Sequence, residues 1–430
     1  MEDLLEPSID IARNGFPVTR FVAGYIDGNY DDMKDYPDIF RIFASQSKPY
    51  ESYSLTLPEY AATLETLKEE GLSSFYTGNI SKLILNAMEK GQGLISNEDL
   101  AEFHAKVYSP TRGSYRDHDI LFPPVGSAGP CVVEALNILE TFDLSLTRKY
   151  SAETIHLMVE SLKLAWADRL AFDADPAYTR VPLDGMISKK YALKRSREIS
   201  KDGIIIEAFP GNPWEHEPSN KRGADSSETP LGVNARETHT CHINVVDKSG
   251  NAVSLTQTLW GGFGSLVTIP KTGIVMNNGQ SRFDPDPKSA NRPVARKRVL
   301  SNMCPLLIER DGLPFIAVGS PGGRRIISTM LIFLSNVIDF GMNSEALNEP
   351  RFHCEIREPV LVEPYWIDRI PVGVPRVLEK IGHRLQMIAL SGGSFNGYPY
   401  MSGPASAIVL NAVTIDGTAD SRQPGAIAGY

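Results

Sequence analysis

Residues 240–258, T-C-H-I-N-V-V-D-K-S-G-N-A-V-S-L-T-Q-T, restrict the fold of this chain more than any other stretch. Strict alternation over His242, Ile243, Asn244, Val245 and Val246 predicts one strand, and Ala252 to Thr256 predicts a second. Lys248-Ser249-Gly250 fits a three-residue hairpin loop, with Gly250 at the left-handed position such a loop needs. If Asp247 faces Asn251, counting back along the ladder sets Thr240 opposite Thr258. Cross-strand partners have Cβ atoms about 4.5–5.5 Å apart, so two hydroxyls there can hydrogen-bond. A slip of one residue would turn one of them to the other face. Taken alone, a pair of threonines in a sheet is ordinary strand chemistry.

Composition narrows the function. With 430 residues the chain can bury a large core, and 52 acidic against 43 basic residues give a net charge of −9. That balance argues against a nucleic-acid partner, which requires a basic footprint. Cys131, Cys241, Cys304 and Cys354 are widely spaced, without a C-x-x-C, and read as free thiols in a reducing compartment. The eight histidines show no metal-ligand spacing, so neither a metal nor a cofactor is expected. The start M-E-D-L-L-E-P-S lacks the basic and apolar regions of a signal peptide. No apolar run reaches the roughly 18 residues of a membrane helix. A soluble, cytoplasmic protein is expected.

Residues 1–200 read as mostly helical. Helices are expected to stop at Gly15, Gly71 and Gly91, Ser96 with Asp99 resembles a capping box, and 152–171 reads as an amphipathic helix. About 207–239 is rich in Pro, Gly, Ser and charge without a period, which predicts an exposed, mobile linker. A loose segment ending just before a hydroxyl residue suits a self-cleaving precursor; an ordinary domain linker reads the same way. Residues 240–430 read as strand-rich.

Gly319-Ser320-Pro321-Gly322-Gly323 lies between a predicted strand and a predicted helix. Without the Lys-Ser/Thr ending of a phosphate loop, nucleotide binding is weakly supported. Plain turn chemistry is one reading; an oxyanion hole of adjacent N–H groups is the other. The oxyanion hole needs a nucleophile, and Thr240 is the candidate. A threonine hydroxyl needs a base. If Thr240 became a chain terminus, its own α-amine, of ordinary pKa about 7.7–8.0, could serve.

These residues carry a family likeness. The chain resembles the γ-glutamyltransferase (γ-glutamyltranspeptidase) family of N-terminal-nucleophile hydrolases nearly end to end. The matching stretches include P-S-I-D-I-A-R-N-G-F-P-V at 7–18, F-P-P-V-G-S-A-G-P at 122–130 and K-L-A-W-A-D-R at 163–169. They continue with T-C-H-I-N-V-V-D-K-S-G-N at 240–251, K-R-V-L-S-N-M-C-P at 297–305, G-S-P-G-G-R-R at 319–325 and E-P-R-F-H at 349–353. The resemblance implies an α+β fold, a four-layer αββα sandwich. It implies self-cleavage between His239 and Thr240, after which segments 1–239 and 240–430 stay associated. Thr240 matches the nucleophile, Thr258 the threonine that hydrogen-bonds it, and Gly322 and Gly323 the oxyanion-hole glycines. Ser301 matches the first of two serines that contact the glutamyl carboxylate. The implied substrates are glutathione-type γ-glutamyl amides, with water or an amine as acyl acceptor.

The departures from the pattern bear on substrate. The second serine is Asn302, and the asparagine near the nucleophile is Trp260. The glutamine and aspartate that hold the glutamyl amine correspond to Gly279 and Arg282. An arginine there repels an ammonium and favours an acyl group bearing a carboxylate, as in the cephalosporin-acylase branch. The family's N-terminal head region lies upstream of the first match. A partial chain, a separate polypeptide supplying the head, and a non-catalytic truncated homologue all remain open at this point.

Overall fold

The structure, a computed structural model, describes residues 2–45, 53–124, 126–218, 239–364, 366–388, 405–410, 414–422 and 425–429. They divide into two compact units. One is built from within 1–107 and 259–278, the other from within 108–258, 279–389 and 399–430. No helix among the described residues is long and apolar enough to cross a membrane.

The first unit is helical. Helices Glu2–Asn14 and Pro58–Glu70 are tied by Leu57 N donating to Ala12 O at 2.7 Å and by the Lys68–Glu6 ion pair at 2.5 Å. Helix Asn79–Lys90 buries Ile80 and Ile84 against Leu100 and Ile269. The expected capping box is present: Ser96 Oγ accepts from Asp99 N at 3.1 Å, and the Asp99 carboxylate accepts from Ser96 N at 2.9 Å.

The second unit holds the main core. Strands β1 (Thr111–Tyr115) and β2 (His118–Phe122) lead into helices α1 (Gly129–Glu140) and α2 (Ala152–Phe172). The hairpin strands β3 (His239–Val246) and β4 (Ala252–Trp260) come next. Then follow β5 (Leu306–Arg310), β6 (Leu313–Gly319), helix α3 (Arg325–Ile338), β7 (Ser406–Leu410) and β8 (Ile415–Ala419). One antiparallel sheet runs β8-β7-β6-β5-β2-β1, and the hairpin forms a separate two-stranded sheet. At the junction of β2 and β5, Ile120 faces Ile308 and Leu121 faces Leu307.

Period-2 alternation sorts the faces of the large sheet. Ile120, Phe122, Leu306, Ile308, Val318 and Val409 are buried with residues of the three helices in one cluster. Each such side chain contributes roughly 1.5–3 kcal/mol by leaving water. On the other face Gly319 and Ser406 receive the hairpin. Helices, sheet and hairpin are thus stacked in layers. On the outer side of the hairpin Ile243, Val245, Val253 and Leu255 remain about half exposed, at 54, 54, 53 and 50%.

Two expectations change. Helix α2 is not amphipathic: every residue from Thr154 to Arg169 is buried. Its polar members are matched inside the protein, with Lys163 against Glu160 at 2.8 Å and Arg169 against Asp173 at 2.5 Å. The stretch from 207 is not an exposed linker at its start. Ala208, Pro213, Trp214 and Glu217 are buried, and Glu217 accepts from Gly185 N at 2.7 Å. Apolar Ala208 and Trp214 outweigh the turn-rich composition around them. The remainder of the expected linker, 219–238, lies outside the described residues.

Candidate active site

The hairpin has the register that places the two threonines together. Asp247 N donates to Asn251 O at 3.0 Å, and Gly250 has φ +82°. Along the ladder His242 Nδ1 meets Thr256 Oγ1 at 2.8 Å, and Thr240 Oγ1 donates to Thr258 Oγ1 at 3.2 Å. Cys241, the neighbouring thiol, is exposed. Thr240 is here an internal residue of β3.

Polar contacts seat the hairpin on the large sheet. Asn244 Nδ2 donates to Ser406 O at 2.8 Å and to Ser406 Oγ at 2.9 Å. Ser254 Oγ donates to Val318 O at 3.1 Å. The His242 ring lies against Gly319, where a Cβ would fall 2.1 Å from Cε1 and 2.5 Å from Nδ1. Because both Asn244 amide hydrogens are committed to Ser406, Asn244 Oδ1 accepts from His242 Nε2 at 3.1 Å. His242 Nδ1 then accepts from Thr256. Burial pushes the His242 pKa down to about 4 against the pull of Asn244, so the ring is neutral at pH 7.

Gly319 leads directly into the turn that carries Gly322 and Gly323, with φ of +132° and +62°. Gly322 O and Gly323 O accept from Arg325 N and Ile326 N at 3.2 and 3.3 Å, opening α3. N–H groups at such a helix start have no partner within the helix. Ser301 and Asn302 enter β5 at the same end of the sheet, since Leu306 pairs with Val318. Ser301 N donates to Gly126 O at 2.7 Å.

Sequence reasoning gave no role to Arg169, which organises this segment. Its guanidinium is buried and donates to Ser127 O at 2.9 Å, Ser301 O at 2.6 Å and Asn302 Oδ1 at 3.3 Å. It stands one helical turn beyond Trp166, which also lies 5.7 Å from the Arg324 guanidinium. The signal was available in K-L-A-W-A-D-R, where a basic residue shares the apolar face of a long helix. Arg324 is paired with Glu355. Burial would raise the Glu355 carboxyl, but His353 and Arg324 hold it below its ordinary value. His353 in turn meets Ser328 Oγ at 2.7 Å.

Arg282 ends a short turn, Gly279–Arg282, and is partly buried. Burial and the like charge of Arg324 both lower its pKa. The two guanidiniums are thus near enough to repel, while Glu355 offsets the charge of Arg324. Trp260 closes β4 with φ +74° and belongs to the first unit. The His239 side chain lies outside the described residues.

Among the described residues, folding assembles one group of metal-ligand type that spacing could not show. His156, Glu160 and His383 bring ligand atoms within 4.8 Å of one another. His156 Nε2 donates to Ser200 O at 2.7 Å, and the two rings meet at 2.8 Å. Lys163 Nζ stands 2.8 Å from both Glu160 and Glu358, so these carboxylates already have a cation.

Comparison with known proteins gives a consistent result. The family model described as gamma-glutamyltranspeptidase matches residues 1–430. An acylase proenzyme, "Acylase ACY 1 proenzyme" of Pseudomonas sp. strain SE83, is 33% identical over 403 residues, which is 93% of this chain and 68% of the relative. A glutathione hydrolase proenzyme of Bacillus subtilis strain 168 is 30% identical over 434 residues, 100% of this chain and 71% of the relative. The crystal structure of a cephalosporin acylase from Bacillus halodurans is similar with a TM-score of 0.85 at 27% identity, over 99% of this chain and 73% of that one. From its sequence, its fold and its layered hairpin-on-sheet core, the chain belongs to the gamma-glutamyltranspeptidase family.

Proposed function

We propose that this chain is an autoprocessed γ-glutamyl amide hydrolase and acyltransferase with Thr240 as its nucleophile. The observation that carries the reading is the 3.2 Å hydrogen bond between the Thr240 and Thr258 hydroxyls, on a hairpin seated beside the Gly322-Gly323 turn. In the precursor, Thr240 Oγ adds to the His239 carbonyl and the His239–Thr240 C–N bond breaks, which frees the Thr240 α-amine and leaves an ester on Oγ; water then cleaves that ester, freeing the Thr240 hydroxyl and the His239 carboxylate. That amine then takes the Oγ proton as Oγ adds to a substrate amide carbonyl. The N–H groups of Gly322 and Gly323 hold the oxyanion. The α-ammonium returns its proton to the departing amine, leaving an acyl ester on Thr240. Water or an amine, deprotonated by the same group, takes the acyl chain. Ser301 and Asn302, fixed by Arg169, contact the acyl group.

A second reading changes only that acyl group. Arg282 beside Arg324 favours a distal carboxylate over an ammonium, which suits a dicarboxylic acyl amide. Side-by-side hydrolysis of glutathione and a glutaryl amide separates the two. A further polypeptide covering Ile243, Val245, Val253 and Leu255 belongs to the same proposal, because that row is exposed and apolar. Mass spectrometry of the purified protein tests the core claim. A chain starting T-C-H-I-N is expected, and a Thr240→Ala protein is expected to stay whole. A wild-type protein found only as the intact 47.3 kDa chain would refute maturation.

A further inference from the structure

We infer that His242 is a positioning residue that sets the distance between the nucleophile strand and the glycine turn; this rests on the reading of Thr240 given above. Four contacts converge on this one ring. Nδ1 accepts from Thr256 at 2.8 Å, Nε2 donates to Asn244 at 3.1 Å and lies 3.4 Å from Ser254 Oγ, and the ring lies on Gly319. The Asn244 amide continues the chain of contacts to Ser406, the cross-strand partner of Gly319. The imidazole is therefore held from both hairpin strands and pressed on the last residue of β6. Thr240 follows on the same face of β3, about 6–7 Å along the strand at two residues. Gly319 is three residues before Gly322 in the segment that carries both Gly322 and Gly323. A ring wedged between these backbones fixes how far Thr240 Oγ stands from the oxyanion donors without touching substrate.

The absence of a side chain at residue 319 is the reciprocal half of the device. A methyl group there would overlap the ring at 2.1–2.6 Å and would have to lift the hairpin from the sheet. A displacement near 1 Å at a reacting centre costs roughly a hundredfold in rate. Both His242→Ala and Gly319→Ala should therefore lower kcat by roughly tenfold to a hundredfold, with KM changed by less than about threefold, and should slow self-cleavage.

The test is a double-mutant cycle on the full chain: wild type, His242→Ala, Gly319→Ala and the double variant. Each is assayed for the two segments on a gel, for kcat and KM on a γ-glutamyl anilide and a glutaryl anilide, and for thermal midpoint. In the double variant the methyl occupies space the ring has left. Its kcat should be no worse than that of the poorer single variant, and His242→Gln, which keeps a donor and an acceptor, should recover part of the rate. A cut, active wild type with multiplicative kcat losses in the double variant would overturn this inference alone. So would loss of thermal stability in His242→Ala with kcat unchanged. A wild type that is uncut and inactive on both anilides overturns the functional reading, and this inference with it.

Discussion

Lowering the pH from 7 to 5 protonates the His242 imidazole in the unfolded chain but not in the folded one. Its ordinary pKa is 6.5, and burial holds it at about 4 in the folded protein. The sign follows from linkage. A folded pKa below the unfolded one contributes stability that is complete above about pH 6.5 and is lost as pH falls through 4. At 1.36 kcal/mol per unit, the loss reaches about 2 kcal/mol by pH 5 and about 3 kcal/mol near pH 4. Other groups act in the same range, so the wild-type curve alone is not diagnostic. Burial pushes Asp173 up to about 6 although Arg169 pulls it down, and a raised carboxyl stabilises the fold as pH drops. Glu358 acts lower. Burial opposes its ionisation, but His383 and Lys163 hold it down to about 2, so its contribution is lost only below its ordinary 4.5. The measurement is therefore a difference. Urea unfolding of Thr240→Ala, which keeps the chain whole, is compared with Thr240→Ala/His242→Gln at pH 7, 6 and 5. Buried Trp166 and Trp366 report the transition by fluorescence. The gap between the two proteins should shift by about 2 kcal/mol against Thr240→Ala over this range. A gap independent of pH would show that the ring is not sequestered between the hairpin and Gly319.

Other outcomes follow from the same geometry. Thr258→Val removes the acceptor for the Thr240 hydroxyl while keeping shape; cleavage and kcat should fall about tenfold with little change in thermal midpoint, read by gel and by amide hydrolysis. Arg169→Met strips three donors from Ser127, Ser301 and Asn302 and leaves Asp173 without its guanidinium, so unfolding should show a loss of about 3–5 kcal/mol. Arg282→Ala should reduce hydrolysis of a glutaryl amide more than that of glutathione; equal losses would remove the electrostatic basis for a carboxylate-bearing acyl group. Ile243→Thr, at a 54% exposed strand position, should alter stability by no more than about 0.5 kcal/mol and should raise solubility.

The hairpin was legible in the sequence because its signals are local. Alternation, a three-residue loop and Gly250 together determine a register, and the register alone brings Thr240 to Thr258. The glycine turn was legible for a similar reason, as a break between a strand and a helix. What escaped depends on residues far apart in the chain. His156 meets His383 across 227 positions, and no spacing rule anticipates that. Helix α2 shows an apolar stripe, yet neighbours cover it on all sides, and its charges are balanced by residues such as Glu358 and Arg195. Strand β8, I-D-G-T-A, is too polar to stand out and exists because β7 offers it an edge. Short β1, T-R-G-S-Y, is the edge strand at the opposite end of the sheet, paired with β2.

The large sheet draws its strands from both sides of residue 240. β1 and β2 come from the earlier part, β5 to β8 from the later, and the seam between them runs through the ladder of Asp119 with Glu309 and Ile120 with Ile308. A nick at residue 240 would therefore leave two pieces interleaved in a shared core. They could separate only by tearing the ladder and exposing its apolar side chains to water. The two pieces would melt together, with a midpoint that shifts on dilution where that of the uncut chain does not.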